Sequence, residues 1–509
     1  MTDSREPTLP IQPIGPELFF GIVGPIGTDL DTLCSLLSES LQTVGYNCRP
    51  IRLISLLREL PRWQNLPISP VAEYYRKSMD AGNEFRFEVK DGAALAVLAI
   101  QFVRKKVRSA QTGSDHIPIE RQAFIFRSLK HPKEIQTLRE TYGPAFFLIG
   151  AYSPKETRTE NLARKIAGSE VTEPLPEHRR DAQELIARDE NESGVEFGQA
   201  VRDSFPQADV FVDISRPRKE VRAALDRFIE LVFGYPFHTP TRSEYGMFHA
   251  YASALRSSAM GRQVGAALCN SEGDVIALGT NEVPKAFGGQ YWGDESEDRR
   301  DFQVGVDSND EIKRQNIAEI IARLKGAQWL VPGIARGEGD SLVSEAVSIL
   351  RGTRVLSPIE YGRAVHAEMS AIMDAARRGI SVRGATLYTS TFPCHECARH
   401  IITAGIDRVY YVEPYPKSLA LDLHKDAVSV ETADDAKVAF LPFVGVAPRQ
   451  YMNVFGMKKR KDESTGKVIS WIARAALPVQ SGPFTSYFEA EDWIGAELQR
   501  KMTSSDLLP

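Results

Sequence analysis

The sequence predicts an α/β protein of two domains, the first on a mostly parallel sheet. Three observations predict it. The chain has 509 residues, more than one ordinary hydrophobic core accommodates. Short apolar, aromatic-rich runs alternate with longer helical patterns. A Pro- and Thr-containing break, "YPFHTPTRSE", follows Gly234 and separates two such series.

Residues 1–16, "MTDSREPTLPIQPIGP", are polar and Pro-rich and read as a flexible arm without an apolar signal core. The first domain is placed at 17–235. Its expected strands are "LFFGIV" (18–23), "AFIF" (123–126), "AFFLIGA" (145–151) and "DVFVD" (209–213), continuous apolar runs of the kind buried on both faces. Helical patterns separate them, among them "DGAALAVLAIQFVRKK" (91–106). "RKEVRAALDRFIELVFG" closes the series at Gly234, a C-cap residue.

The second domain is placed at 241–475. "RQVGAALCN" and "DVIALGTN" form an expected hairpin turning at "SEGD". A polar insert of about 282–357 follows, with helical stretches at 311–324 and 340–350. Then come a helix ("HAEMSAIMDAARRG"), a strand ("ATLYTS"), a helix ("CARHIITAG") and a strand ("DRVYYVEP"). "MKKRKDESTGK" reads as a charged turn, and a tail helix, "FEAEDWIGAELQRKM", falls within 476–509.

Composition excludes several classes. Hydrophobic content of 42% and charged content of 25% are those of a globular protein. A net charge of −5 carries no global signature of a nucleic-acid binder. No apolar run reaches the about 18 residues of a membrane span, so no membrane partner is expected. Five cysteines do not make a secreted disulfide framework, and a reducing cytoplasm fits them best.

Cys394 and Cys397 form a Cys-x-x-Cys, which by itself can bind zinc, exchange electrons or do neither. The context is informative. His366-Ala-Glu368 lies upstream, with 27 residues between His366 and Cys394, and Pro393 precedes the first cysteine. The whole matches the H-x-E…P-C-x-x-C signature of zinc deaminases. His366, Cys394 and Cys397 are the expected Zn2+ ligands, leaving a fourth position open as a catalytic zinc requires. Glu368 is the expected proton shuttle, beside the metal rather than on it. His395 and His400 are expected to stay off the metal. A closed structural site would need one of them, and a redox pair would leave His366 and Glu368 without a role.

"GRQVGAALCNSEGDVIALGTNEVP", "HAEMSAI" and "TLYTSTFPCHECARHIITAGIDRVYYVEPYPKSLALDLH" resemble the deoxycytidylate deaminase branch of the cytidine deaminase-like superfamily. The resemblance implies a cytidine deaminase-like α/β/α fold. It implies that Asn281, at the end of the "G-x-N" strand, contacts deoxyribose, and that Arg262 lies near the phosphate. Asn281 can also be read as a turn residue. Ser370 stands where many relatives have asparagine.

"FFGIVGPIGTDLDTLCSLL" has the strand, Gly-rich turn and helix of a P-loop but not its pattern. With Gly24 and Gly27 aligned to the loop glycines, Leu30 replaces the lysine and Asp31 the Ser/Thr. Gly24, Gly27, Thr28 and Asp29 are the candidate nucleotide contacts, through backbone N–H groups that need no lysine. Asp29 can equally cap the helix. A poor kinase is expected.

A P-loop kinase-like parallel-sheet domain fused ahead of a deoxycytidylate deaminase domain resembles the bacterial anti-phage deoxycytidine nucleotide deaminases. That resemblance implies deamination of dCTP and dCMP to dUTP and dUMP. It further implies a homo-oligomer, a regulatory nucleotide on the first domain and, in some members, an inhibitory small RNA. Two other readings stand beside it: a polynucleotide deaminase acting on RNA or single-stranded DNA, which would need a basic groove and stacking aromatics, and a non-catalytic nucleotide-sensing module.

Overall fold

The structure is a computed structural model. It describes residues 15–505 and 507, except 174, 193–194, 336–338, 357, 416–417, 432–433, 435, 457 and 480–483. Residues 1–14 of the expected arm lie outside the described residues. The chain divides into two compact units, 1–244 with 444–509, and 245–443.

The first unit is built on a six-stranded sheet. In chain order its strands are β1 (Leu18–Val23), β2 (Asn47–Arg52), β3 (Gln122–Leu129), β4 (Phe146–Tyr152) and β5 (Val210–Asp213). These five are parallel, in the spatial order β2-β3-β1-β4-β5. Central β1 is buried at every position, so it reads as an unbroken apolar run rather than an alternating one. β2 escaped the sequence reading for the opposite reason. It is an edge strand, largely solvent-facing, and carries Pro50, which an edge tolerates.

The second unit holds β6 (Gly265–Cys269), β7 (Val275–Thr280), β8 (Thr386–Thr391), β9 (Arg408–Glu413), β10 (Val428–Val430) and β11 (Val438–Pro442). Their order is β10-β11-β9-β8-β6-β7. The expected hairpin is present as the antiparallel β6–β7 pair, and β8 through β10 run parallel. The insert carries helices Ser308–Gly326 and Asp340–Ile349. Both units are therefore mixed α/β with parallel-rich sheets.

The second unit ends earlier than the sequence suggested. Residues 444–475, expected with it, belong to the first unit. The cause is a two-residue strand, β12 (Gly445–Val446), which pairs antiparallel with β5. The Ala447 N–H then donates to the Asp209 carbonyl at 2.9 Å. Two residues are too few to show any periodicity.

Six helices recur below: α1 (Leu30–Thr43), α2 (Val71–Val89), α3 (Arg218–Val232), α4 (Ala367–Arg377), α5 (His395–Ala404) and α6 (Phe484–Ser504). α3 ends beside Gly234, which adopts φ +76°. The helix expected at 91–106 is regular over Ala94–Gln101 and continues in wide π turns through Arg108.

Arg108 ties the last helix to the first strand. It donates to Glu17 and to Glu491 of α6, each at 2.7 Å. All three side chains are fully buried. One cation faces two carboxylates, and hydroxyls supply the remaining donors. Tyr142 donates to Glu491 at 3.0 Å and Tyr487 to Glu17 at 2.9 Å. Burial of such ions is tolerable only when they are paired and hydrogen-bonded.

Candidate active site and metal centre

Two helices of the second unit begin at the same place. His366 is the N-cap of α4, and Cys394 is the N-cap of α5, each with an extended backbone. β7 pairs with β6, β6 with β8, and β8 leads directly into α5. α4 lies against this sheet at Gly279 of β7. A Cβ there would come 2.0 Å from the Ala367 carbonyl oxygen, so only glycine permits the approach.

His366 Nδ1 lies 3.3 Å from both Cys394 Sγ and Cys397 Sγ. The donor atoms of the three residues all lie within 4.8 Å of one another, forming the single such group among the described residues. One imidazole and two thiols, with no fourth such ligand among the described residues, make the donor set of a catalytic zinc. The structure thus brings together all three residues that the spacing selected.

The electrostatics fit a metal. Hydrogen bonding from Cys397, together with the facing His366, pulls the Cys394 thiol well below its usual range and favours its thiolate form. The Cys397 backbone N–H also points at its sulfur, 3.4 Å away, as a helix N-terminus does for an anion. His366, bonded to Cys394, rises to about 9. Burial pushes the Cys397 thiol up.

Glu368 sits in the first turn of α4, 4% exposed. Burial, reinforced by the Cys394 thiolate, raises its carboxyl to about 7. A carboxyl with that proton affinity both takes and gives a proton at neutral pH, as general acid–base catalysis requires. His395 and His400 stay outside the cluster. The His400 ring instead bonds the Glu396 carbonyl at 2.7 Å.

A cavity of about 180 Å³ opens onto His366, Glu368 and Cys394. Its size is comparable to the roughly 150 Å³ apolar cavity that admits a benzene ring. Asn281 and Arg262 line it too. The Asn281 amide brackets the neighbouring backbone. It accepts from the Val264 N–H and donates to the Arg262 carbonyl, both at 2.7 Å. Asn281 therefore holds the cavity rim in shape. Arg262 is exposed at that rim, 3.5 Å from Glu413. Ser370 lies elsewhere, in a separate hollow with Arg256 and Trp292.

Sequence reasoning missed several other walls, Ile359, Thr391, Phe392 and Tyr415 among them. Thr391 and Phe392 directly precede Pro393-Cys394, and Tyr415 lies in "EPYP", so proximity to the motif was a usable signal for three of them.

In the first unit, the turn after β1 is sealed by its own chain. Gly27 has φ +88°, and a Cβ on it would meet the Arg158 carbonyl at 2.5 Å. Asp29 caps α1, accepting from the Thr32 N–H at 3.1 Å. The Ile26 N–H donates to buried Asp189 at 2.7 Å. Lys130 bonds both Asp189, at 2.8 Å, and the Gly24 carbonyl, at 3.1 Å. Thr28 is buried with its hydroxyl unpartnered.

Residues 240–413 match the family model of the cytidine and deoxycytidylate deaminase zinc-binding region. The deoxycytidylate deaminase of Enterobacteria phage T2 is 46% identical over 54 residues, 11% of this chain and 29% of that protein. ComE operon protein 2 of Bacillus subtilis (strain 168) is 45% identical over 53 residues, 10% of this chain and 28% of that protein. Human deoxycytidylate deaminase is 27% identical over 169 residues, 33% and 63% respectively. The chain thus spans under a third of the first two relatives and under two thirds of the third. Among solved structures, the dCMP deaminase of cyanophage S-TIM5 in complex with dCMP and dUMP aligns at 17% identity and a TM-score of 0.23, over 41% of this chain and 100% of that one. The family match covers all the cluster residues and supports a deaminase domain there.

Proposed function

We propose that the second unit is a zinc-dependent hydrolase that deaminates deoxycytidine nucleotides, dCMP and dCTP, to dUMP and dUTP. The observation that carries this reading is Glu368. Its buried carboxyl, raised to about 7, lines one ring-sized cavity with His366 and Cys394 of the His-Cys-Cys donor set. Similarity to the deoxycytidylate deaminases of phage T2 and of human supports the substrate class.

Zinc, when bound, supplies Lewis-acid activation of water. The chain's own residues do the rest. The cavity admits the pyrimidine ring with its amino-bearing carbon toward Glu368. Glu368 takes a proton from the attacking water, whose oxygen bonds to C4, and passes it to ring N3. Glu368 then carries the proton of the new C4 hydroxyl to the amino group, the C4–N4 bond breaks, ammonia leaves, and a C4 carbonyl remains. Asn281 keeps the rim in shape and offers an N–H to the sugar. Arg262, released from Glu413, faces the phosphate.

The first unit, in this reading, is kinase-like in architecture and not in activity. The Gly24–Gly27 turn after a central parallel strand supports the likeness, and the lack of a lysine in that turn argues against phosphotransfer. Loss of deoxycytidine nucleotides would starve phage replication, the defensive role that the resemblance of the whole chain suggests.

Purified protein mixed separately with dCMP, dCTP, CMP, CTP and a cytosine oligonucleotide, with products identified by mass, tests the reading. Deoxyuridine nucleotides are expected from the first two. Turnover confined to the oligonucleotide, or no turnover by zinc-loaded protein, would overturn it.

A further inference from the structure

We infer that Ile359, which the loop after the insert carries to the candidate catalytic cavity, is the residue that excludes a ribose 2′-hydroxyl, and that the insert holds it there. The inference rests on the deaminase reading of the second unit and names which side chain selects the sugar.

Position is the first argument. The reacting carbon of the base must reach Glu368, His366 and Cys394. A cavity of about 180 Å³ is filled by the ring, so the sugar lies at the mouth, where Asn281 and exposed Arg262 stand. Ile359 is only partly buried, and residues 359–365 run back beside that mouth. The Val365 N–H donates to the carbonyl of Glu282, the neighbour of Asn281, at 3.1 Å, and the Glu282 N–H returns a bond to the Val365 carbonyl at 3.3 Å.

The chemistry of the walls is the second. Ile359, Val264 and Phe392 give the cavity apolar sides, and all three pack on the core of the second unit. The polar walls are committed or lie at the metal end. Asn281 bonds the backbone of Val264 and of Arg262. Thr391 ends β8 three residues before Cys394. Tyr415 stands close enough to Cys394 that, after burial, the charge of that sulfur raises its phenol. A 2′-hydroxyl pressed on Ile359 would exchange water for a methyl group and leave its hydrogen bond unmade. Deoxyribose presents only C–H there.

Rigidity is the third, because a wall that retreats does not select. Arg363 donates to Asp301 at 2.8 Å and to the Arg299 carbonyl at 3.1 Å. Ser308, at the start of the helix Ser308–Gly326, donates to the Tyr361 carbonyl at 2.9 Å. The start of the insert and the Glu282 backbone thus grip the loop that bears Ile359 at three of its residues.

Equilibrium binding of dCMP and of CMP to the zinc-loaded full chain carrying Glu368→Gln, which prevents turnover, tests this. The readout is the ratio of the two dissociation constants, in which a general loss of affinity cancels. dCMP should bind about 10²-fold more tightly, the discrimination an apolar site achieves against an added hydroxyl. Ile359→Ser, which supplies space and a hydroxyl, should cut that ratio by at least about tenfold. Arg363→Gln, at a half-exposed position, should also cut it by letting the loop retreat, and it decides the matter if Ile359→Ser fails to fold. Trp329→Ala, at an exposed insert position, should leave the ratio unchanged. The inference falls if the ratio before these substitutions is under about threefold, or if neither nucleotide binds at about 1 mM. It falls equally if Ile359→Ser and Arg363→Gln both keep the full ratio. Deamination by the parent protein separates the two readings. A high ratio without dCMP turnover would overturn the deaminase and uphold the sugar selection, whereas equal turnover of dCMP and CMP with a ratio near one would do the reverse.

Discussion

Gly279 and Ala367 pack so closely that a methyl group on the glycine would overlap the alanine carbonyl. Ala367 stands between His366 and Glu368, so this one contact sets the height of both above the sheet. Gly279→Ala should cost at or beyond the upper end of the about 1–3 kcal/mol typical of overpacking. It should also lower zinc occupancy, because α4 must withdraw. Urea unfolding and metal analysis of the purified variant check both.

Glu368→Gln keeps size and burial and removes the transferable proton. Zinc content should stay at the parent level while kcat for dCMP falls by about 10²–10⁴-fold. A turnover number near the parent's would take Glu368 out of the chemistry.

Cys397→Ser should lose the metal, since a serine hydroxyl remains protonated where the thiol ionises on binding. Emission spectrometry should read little zinc, and activity should not return on adding the metal. Treating the parent protein with a chelator should remove activity reversibly.

The buried Arg108 has two carboxylates, so its removal and theirs are not equivalent. Arg108→Met strands Glu17 and Glu491 and should cost about 3–5 kcal/mol. Glu491→Gln leaves the arginine paired with Glu17 and should cost less. Denaturant midpoints of the two variants, measured side by side, give the ordering.

His131 caps the helix Pro132–Tyr142 through its ring, which accepts from the Lys133 N–H at 3.2 Å. Burial lowers its pKa below 6.5. The folded state therefore prefers the neutral ring. Its contribution is complete above about pH 6.5 and is lost as pH falls through the depressed folded value. His131→Asn, which also caps, should flatten the fall in stability between about pH 6.5 and 5. Unchanged slopes in parent and variant would refute this.

The zinc cluster was legible because its chemistry demands fixed residue types at fixed spacing along two helix starts. Strands buried on both faces, such as Leu18–Val23, were legible as unbroken apolar runs. The edge strand Asn47–Arg52, polar and proline-bearing, was not, and neither was the two-residue Gly445–Val446. Cavity walls divide the same way. Phe392 abuts the motif, whereas Ile359 arrives from the end of the insert, and only the folded path brings it there.

The chain leaves the first unit at Glu244 and re-enters it at Val444. A ribosome therefore delivers strands β1 to β5 long before the residues that complete their fold. Until Glu491 emerges, Arg108 lacks one of its two acids, and the Tyr142 hydroxyl lacks the carboxylate that accepts its hydrogen bond. The nascent first unit must wait, its polar centre open, while the whole intervening unit is made. Final closure of the earliest-made part of this protein is thus a late event in its synthesis, and stop codons between 444 and 490 should abolish soluble first unit as effectively as early ones.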